Sequence, residues 1–189
     1  DGGFAMHVAA WPLLAAWPGD QFQTVDQGNA ARAAGLRPEQ VTIHTTFAGG
    51  SFGRRANTQS DYIVEAVSIA KAIGGRAPVK LIWTREDDIK GGLYRPLYVH
   101  ALAGGLDASR NVVAWRHRIV GQSILGGTPF EPMMVRNGID GTSVEGASNL
   151  PYAIPDLAVD LHTTTSPVPV LWWRSVGSTH TAFATEVFL

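Results

Sequence analysis

The stretch Val41-Thr42-Ile43-His44-Thr45-Thr46-Phe47-Ala48-Gly49-Gly50-Ser51-Phe52-Gly53-Arg54-Arg55-Ala56-Asn57 passes from an alternating strand, through a glycine-rich turn, toward a long amphipathic helix. Glycines let backbone N–H groups come close to a ligand, and a helix start adds its own unpaired N–H groups and positive dipole end. The junction therefore suits an anion, phosphate or pyrophosphate first, with Arg54 and Arg55 supplying charge. It is not a P-loop, because Gly53 is followed by Arg54-Arg55-Ala56 rather than Lys and a hydroxyl residue. Nor is it a dinucleotide fingerprint, which needs glycine where Ala48 stands, although Gly50 and Gly53 keep the later spacing. With 21 glycines in 189 residues, a turn of purely structural purpose stays equally open.

On the C-terminal side, Ile63, Val67 and Ala70, with Ile69 and Ile73, recur at helical spacing, leaving Asp61, Glu65 and Lys71 to water. Thr58 and Asp61 resemble a capping pair, and Gly74-Gly75 stop the helix before a strand over 78–83. On the N-terminal side, Phe4 to Ala10 is expected as a buried strand, with bends at Trp11-Pro12 and at Trp17-Pro18-Gly19-Asp20. A helix from about Gln23 to Ala34 follows, with Val25, Ala30, Ala33 and Ala34 on its apolar face. The order strand, helix, strand, helix, strand predicts parallel pairing through a right-handed crossover. After Thr84 the pattern becomes a long hairpin, 97–106 and 111–120, around Asp107-Ala108-Ser109-Arg110. The Gly-, Ser- and Pro-rich region 121–149 shows no period, 157–162 resumes alternation, and 179–189 starts a final helix. The expected class is α/β (α+β), with mixed sheets and packed helices.

Composition sets outer limits. At 45% hydrophobic residues the chain can bury one good core, as one domain or a compact pair of subdomains. A net charge of −1 with scattered basic residues excludes a general nucleic-acid partner. The absence of cysteine removes disulfides, protein-held iron–sulfur clusters and thiolate zinc, and leans toward an oxidising compartment. The apolar stretch from Phe4 to Trp17 is broken by His7 and Pro12, is too short to span a bilayer, and lacks the charged start of a signal peptide. The charge run Arg85-Glu86-Asp87-Asp88 is expected to be solvated or mutually paired. The six histidines are spread singly, and Tyr94-Arg95-Pro96 is expected to be a turn.

Four ordered motifs, GDQFQTVDQGNAARAAGLRPEQV (19–41), AGGSFGRRAN (48–57), VKLIWTREDDIKGGLYRP (79–96) and VPVLWWRSVGSTHTAFATEVFL (168–189), together resemble the large molybdopterin-binding subunit of xanthine dehydrogenase-type molybdenum hydroxylases. Within that superfamily they are similar to the branch of isoquinoline 1-oxidoreductase and bacterial membrane-associated aldehyde dehydrogenases. The resemblance implies that residues 1–189 are the first molybdenum-cofactor-binding domain of such a subunit. It also implies a molybdenum–molybdopterin cofactor, in the cytosine dinucleotide form, and oxidation of aldehydes or N-heterocycles with water as oxygen source. Electrons would pass to a small partner subunit carrying 2Fe-2S clusters, with a membrane cytochrome c subunit as a further partner. A periplasmic or periplasm-facing membrane-associated location follows, with the cytoplasm as alternative.

By the same resemblance, Gln21 would stand near the metal's oxo group, although Asp20 replaces the family's threonine; the bland alternative is that Gln21 starts a helix. Gly49, Gly50, Ser51, Phe52, Gly53 and Arg54 would form the loop under the cofactor, with Ser51 in place of a third glycine, while Phe52 could equally plug the core. Arg55 and Ala56 replace the lysine and glutamate of purine oxidisers, which argues against purine substrates. Arg174, Ser175, Val176 and Gly177 match the second family loop, with Val176 in place of an aromatic; the alternative for Arg174 is a buried guanidinium paired with a carboxylate. The family's general-base glutamate comes from a second domain far downstream, and Glu186 is on the wrong side of the motif to replace it. No catalytic or metal-ligating residue is therefore expected in this chain, and a non-catalytic assembly module that keeps the fold is the competing expectation. An unrelated phosphate-binding enzyme would instead depend on Arg54 and Arg55 without molybdenum.

Overall fold

Alternating Leu14-Ala15-Ala16, buried at both ends, forms the strand on which the first half of the chain is assembled. The computed structural model describes residues 5–9, 14–16, 18, 23–47 and 49–189, and the chain divides into two compact units, Asp1–Leu93 and Tyr94–Leu189.

The first unit has a four-stranded sheet of β1 (Ala5–Ala9), β2 (Leu14–Ala16), β3 (Val41–Ile43) and β4 (Val79–Ile82), in spatial order β3-β2-β1-β4. Helix α1 (Gln23–Ala34) links β2 to β3, which pair in parallel. A parallel crossover therefore exists, but from β2, where no strand was expected, rather than from the strand expected at Phe4 to Ala10. The parallel expectation fails for β1, which is antiparallel to both β2 and β4, so β3 and β4 occupy opposite edges instead of pairing. The bends expected at Trp11-Pro12 and, apart from Pro18, at Trp17-Pro18-Gly19-Asp20 lie outside the described residues.

Small side chains explain how α1 sits. Its buried residues are Asp26, Ala30, Ala31 and Ala34, a face of alanines that admits close approach by α2 (Asp61–Ala72). Gln27 donates to the carbonyls of Pro38 and Val41, and Gln23 to that of Ile43. The helix thus covers carbonyls on an edge strand that would otherwise be open to pairing. In α2, Tyr62, Ile63, Ala66, Val67 and Ala70 are buried, whereas Ile69 from the expected stripe is 38% exposed. The helix starts not from Thr58 but from Ser60, a non-glycine residue in the left-handed region at φ 54°. Ser60 is held there by buried Asp26 and by Asn29, whose amide donates to Ser60 Oγ at 2.8 Å and to the Thr58 carbonyl at 3.0 Å.

The charge run 85–88 opens a helix. Thr84 caps a helix α3 (Arg85–Gly91) and exchanges bonds with Asp87 in a capping box.

The second unit is built on the hairpin β5 (Tyr98–Leu106) and β6 (Val112–Gln122), close to the expected bounds, with a register shift at Gly105/Leu106. The 121–149 region carries the short helices α4 (Glu131–Met134) and α5 (Gly141–Val144) and the two-residue strands β7 (Val135–Arg136) and β8 (Ile139–Asp140). Strand β9 (Asp156–Thr164) then adds to β6 in parallel, and α6 (Ser178–Phe188) closes the chain. Trp115, His117 and Ile119 alternate inward on β6, and Phe188 of α6 meets Trp115 edge-on at 5.2 Å. The opposite face carries Arg116, Arg118 and Asp160, an exposed ion-pair cluster of small energetic weight.

The expected membrane-associated placement is overturned: among the described residues no helix is long and apolar enough to cross a membrane.

Core packing in the first unit should be sharply position-dependent. Ile63→Ala, at a fully buried site, should lower unfolding stability by about 3 kcal/mol, whereas Ile69→Ala should cost under about 1 kcal/mol. Urea unfolding of the two variants checks this.

Candidate functional site

Each candidate loop lies within one unit. In the first, Gly49 (φ 58°), Gly50 (φ 107°), Phe52 (φ 53°) and Gly53 (φ 98°) all take left-handed backbone. For Phe52 this is an unusual state, in which the side chain crowds its own backbone. A Cβ built on Gly49 meets nothing within 4 Å, and one on Gly50 meets only the Phe52 ring. The loop surface at Gly49 is therefore open to close approach. Phe52 is 60% exposed and is not a core plug; its ring lies over Gly50.

The loop exit is anchored by Arg54. Its amide donates to the Ser51 carbonyl at 3.0 Å, while its side chain, 1% exposed, reaches back into the unit. Nη2 bonds Asp61 Oδ2 at 2.8 Å and Nε bonds Asp88 Oδ1 at 3.1 Å, with the guanidinium 5.5 Å from the Trp83 ring centre. Burial pushes its pKa down, but the bonds to and charges of Asp61 and Asp88 outweigh this and raise it. The charge expected to face an anion is thus compensated inside the protein, by a carboxylate at the start of α2 and another in α3. Arg55 is also buried.

In the second unit, Trp173-Arg174-Ser175-Val176-Gly177 leads into α6. Ser175 (φ 72°) and Val176 (φ 41°) are both left-handed, a costly state for a β-branched residue. Arg95 braces it: Nη2 donates to the Arg174 carbonyl at 2.9 Å and Nη1 to Thr179 Oγ1 at 2.8 Å. Gly177 N donates to Glu145 Oε2 at 3.1 Å. A Cβ at Gly177 would fall 1.8 Å from the Thr142 carbonyl oxygen, so glycine is required there by packing. The Arg174 side chain is exposed and makes no ion pair among the described residues, so the alternative of a buried, paired arginine does not describe it. Gln21 and Asp20 lie outside the described residues.

Three of the singly spread histidines meet in this unit. His117 Nε2 lies 2.7 Å from His100 Nδ1, and His100 Nε2 lies 3.2 Å from His180 Nδ1. His180 stacks on Tyr98 with ring centres 3.7 Å apart. Burial, then the neighbouring His100, push His117 down to about 4, against the opposing charge of Asp160. Burial, then the two other imidazoles and Arg95, push His180 to about 4, and burial lowers His100. Among the described residues no cluster of three His, Asp or Glu side chains could hold a metal ion.

Sequence reasoning missed Arg95, Asp88 and this histidine chain. The hairpin register held a signal for part of it: opposing residues place His100 across from Ile119 and His117 across from Leu102, which makes the two histidines diagonal neighbours on one face. Nothing local marks Asp88 or His180, whose partners are distant in sequence.

The chain thus combines a mixed α/β fold with two loops that carry left-handed backbone, one at Gly49–Gly53 and one at Ser175 and Val176. Residues 8–189 match the family model of the molybdopterin cofactor-binding domain. The chain is 33% identical over 172 residues to isoquinoline 1-oxidoreductase subunit beta of Brevundimonas diminuta, covering 90% of this chain and 21% of that one. It is 30% identical over 183 residues to a membrane-bound aldehyde dehydrogenase [pyrroloquinoline-quinone] of Gluconacetobacter polyoxogenes, covering 90% and 22%. Quinoline 2-oxidoreductase from Pseudomonas putida 86 shares the fold, with a TM-score of 0.73 at 19% identity over 98% of this chain and 23% of that structure. The chain belongs to the molybdopterin cofactor-binding domain family, within the xanthine dehydrogenase/aldehyde oxidase superfamily. It spans about a fifth of the length of these relatives.

Two outcomes follow from the geometry. Gly177→Ala should destabilise by about 3 kcal/mol or more, whereas Gly49→Ala should cost only the left-handed backbone penalty of about 1 kcal/mol; thermal unfolding compares them. The depressed histidines also make stability depend on pH. The unfolded chain, with histidine near 6.5, binds more protons than the folded one between about pH 6.5 and pH 4. Stability should be full above that window and fall as pH drops through it. Urea midpoints across the window check this, with a shallower slope in His180→Gln.

Proposed function

We propose that this chain is a non-catalytic assembly module of a molybdenum-hydroxylase-type oxidoreductase, retaining the cofactor-binding fold and offering backbone on which neighbouring segments assemble. The observation that carries this is the open, left-handed backbone at Gly49 and Gly50 beside an arginine whose charge is already compensated. Such a loop can accept a ligand edge through N–H groups and close contact. It does not bring an acid, a base or a free cation from Arg54.

A more specific reading rests on family membership and on similarity to oxidoreductases of aldehydes and N-heterocycles. In it, Gly49, Gly50, Ser51, Phe52 and Gly53 form the cradle within the first unit. Arg174, Ser175, Val176 and Gly177 form the corresponding loop within the second, and Gln21 lies near the metal. The residues present fit a pterin in one respect: the space beside Gly49 is what a flat ligand would need. When bound, a molybdenum–molybdopterin group, proposed in its cytosine dinucleotide form, supplies the two-electron redox chemistry and activates water as the oxygen source. This chain's residues would hold and orient it, exclude solvent around Phe52, and leave proton transfer to a base outside residues 1–189. Electrons would pass to a 2Fe-2S partner subunit. Aldehydes and N-heterocycles suit this reading better than purines, since Arg55 and Ala56 stand where the purine oxidisers carry lysine and glutamate, and Val176 offers no ring for stacking.

The two readings separate on one measurement. Molybdenum and pterin content is determined on the protein isolated in its natural assembly, for the native sequence and for Gly49→Asn, a residue that tolerates left-handed backbone and fills the open space. The cofactor reading expects about one molybdenum and one pterin per chain, falling roughly tenfold in the variant with little change in unfolding midpoint. Neither group in a fully assembled native protein would leave the assembly role alone. Full loading of the variant would remove Gly49 from the cradle.

A further inference from the structure

Helix α6 reverses the usual amphipathic order. Phe183 and Val187 are 71% and 70% exposed, whereas Thr181 and Thr185 are fully buried. The helix is therefore held to the sheet less by apolar area than by a few specific contacts. His180 stacks on Tyr98 with ring centres 3.7 Å apart, and its Nδ1 lies 3.2 Å from His100 Nε2 on β5. His100 Nδ1 lies in turn 2.7 Å from His117 Nε2 on β6. Thr181 Oγ1 donates to the Glu145 carbonyl, and Phe188 meets Trp115 edge-on.

The proton count on this chain of rings is restrictive. Three neutral imidazoles carry three protons on six nitrogens. Two of the protons lie within the two hydrogen bonds, and the third sits at one end, on His117 Nδ1 or His180 Nε2. Both end nitrogens are buried without a protein partner. A fourth proton makes both ends donors without acceptors and adds a buried charge, and each of these is costly. The surrounding charges offset it only weakly. Asp160 on β9 is paired with Arg116 and Arg118 on the other face of the sheet, where exposed His162 also lies. Asp140 accepts from Ser123 and Thr142, Glu145 from the Gly177 amide, and Glu186 from Tyr152. Arg95, bonded to Thr179 beside His180, adds repulsion, and burial keeps Tyr98 a neutral phenol.

We propose that α6 is a proton-released latch: protonation of the His117, His100 and His180 chain frees the helix from the sheet, while the three strands beneath it stay paired. A freed imidazole reaches water, where its protonated form finds acceptors. An undocked helix of 11 residues is marginal and frays. The sheet keeps its own support, since β6 is hydrogen-bonded along both edges, to β5 and to β9. Release also slackens the loop ahead of α6, because Thr179 Oγ1 donates to the Arg174 carbonyl and accepts from Arg95. Burial, ahead of the neighbouring imidazoles, holds docked His117 and His180 down at about 4. A freed histidine returns to about 6.5, so docking is full above about pH 6.5 and weakens as the pH falls toward about 4. The latch belongs to the second unit alone and stands whether or not the chain holds a cofactor.

Hydrogen–deuterium exchange on the full chain, followed by mass spectrometry from neutral to mildly acidic pH and corrected for the intrinsic pH dependence of exchange, tests the latch. The expected result is that residues 182–188 lose protection below about pH 6.5, by roughly tenfold or more at about pH 5. Strand β6 and, in the first unit, α2 should keep theirs. In His180→Gln, which removes the ring that joins the helix to the chain, protection of 182–188 should no longer respond to pH, whatever its starting level. Steady protection of 182–188 down to about pH 5 in the native sequence would overturn the proposal. Parallel loss in β6 would do the same, since it marks unfolding of the whole unit, and so would a native pH response in a folded His180→Gln protein. The native titration needs no variant, so the proposal stays open to refutation even where His180→Gln does not fold.

Discussion

Burying the Arg54 guanidinium constrains the first unit more than any other contact. A charge removed from water must be paired from more than one side, and Arg54 takes its partners from two elements, Asp61 at the start of α2 and Asp88 in α3. This fixes where the glycine turn must end, because its last residues cannot move without breaking both pairs. A second set, buried Asp26 and Ser60 with half-buried Asn29, ties α1 to the same place and holds Ser60 in a backbone state it would otherwise avoid. The alanine contact between the helices then follows. Only small side chains on α1 let α2 come close enough for both networks to close.

In the second unit, the buried stripe of β6 plays the comparable role. Trp115, His117 and Ile119 face inward together, and a fully buried imidazole in such a stripe would be expensive without a partner. His100 and His180 supply that partner in series, at the cost of keeping all three rings neutral. The same arrangement positions α6 on the sheet through His180 and Phe188. The loop ahead of α6 is then held between Arg95 on one side and Glu145 on the other.

The legible parts of this fold are those set by local pattern. The α2 stripe, the β5–β6 hairpin and the final helix follow from periodicity and turn chemistry, and the four ordered motifs lead to the family. What escaped depends on pairing across long separations. The Arg85-Glu86-Asp87-Asp88 run looks like solvated charge, yet Thr84 makes it a capped helix and Asp88 spends its charge on Arg54, 34 residues away. Arg95 looks like part of a turn until its 79-residue reach to the Arg174 carbonyl is seen. The antiparallel placement of β1 between β2 and β4 leaves no trace in the run of apolar residues, because a short apolar run without alternation does not report the direction of its partners. Of the candidate site, the glycine turn and the loop before α6 were visible as motifs; how each is braced was not.

Both loops reach the same backbone state by different means, and the difference bears on what each can do. At Gly49 the left-handed backbone is accompanied by open space, so the glycine is needed by the backbone and by whatever approaches it. At Gly177 the backbone is ordinary for a helix start, and the missing Cβ is demanded by the Thr142 carbonyl. The strain there sits instead on Ser175 and Val176, residues that bear side chains and gain nothing locally from positive φ. Strain of this kind persists only where its surroundings over-determine it, and Arg95, Thr179 and Glu145 do so from inside the unit. The loop is thus braced from within its own unit. A main-chain surface braced in this way loses little entropy on binding, which is the property the proposed module would contribute.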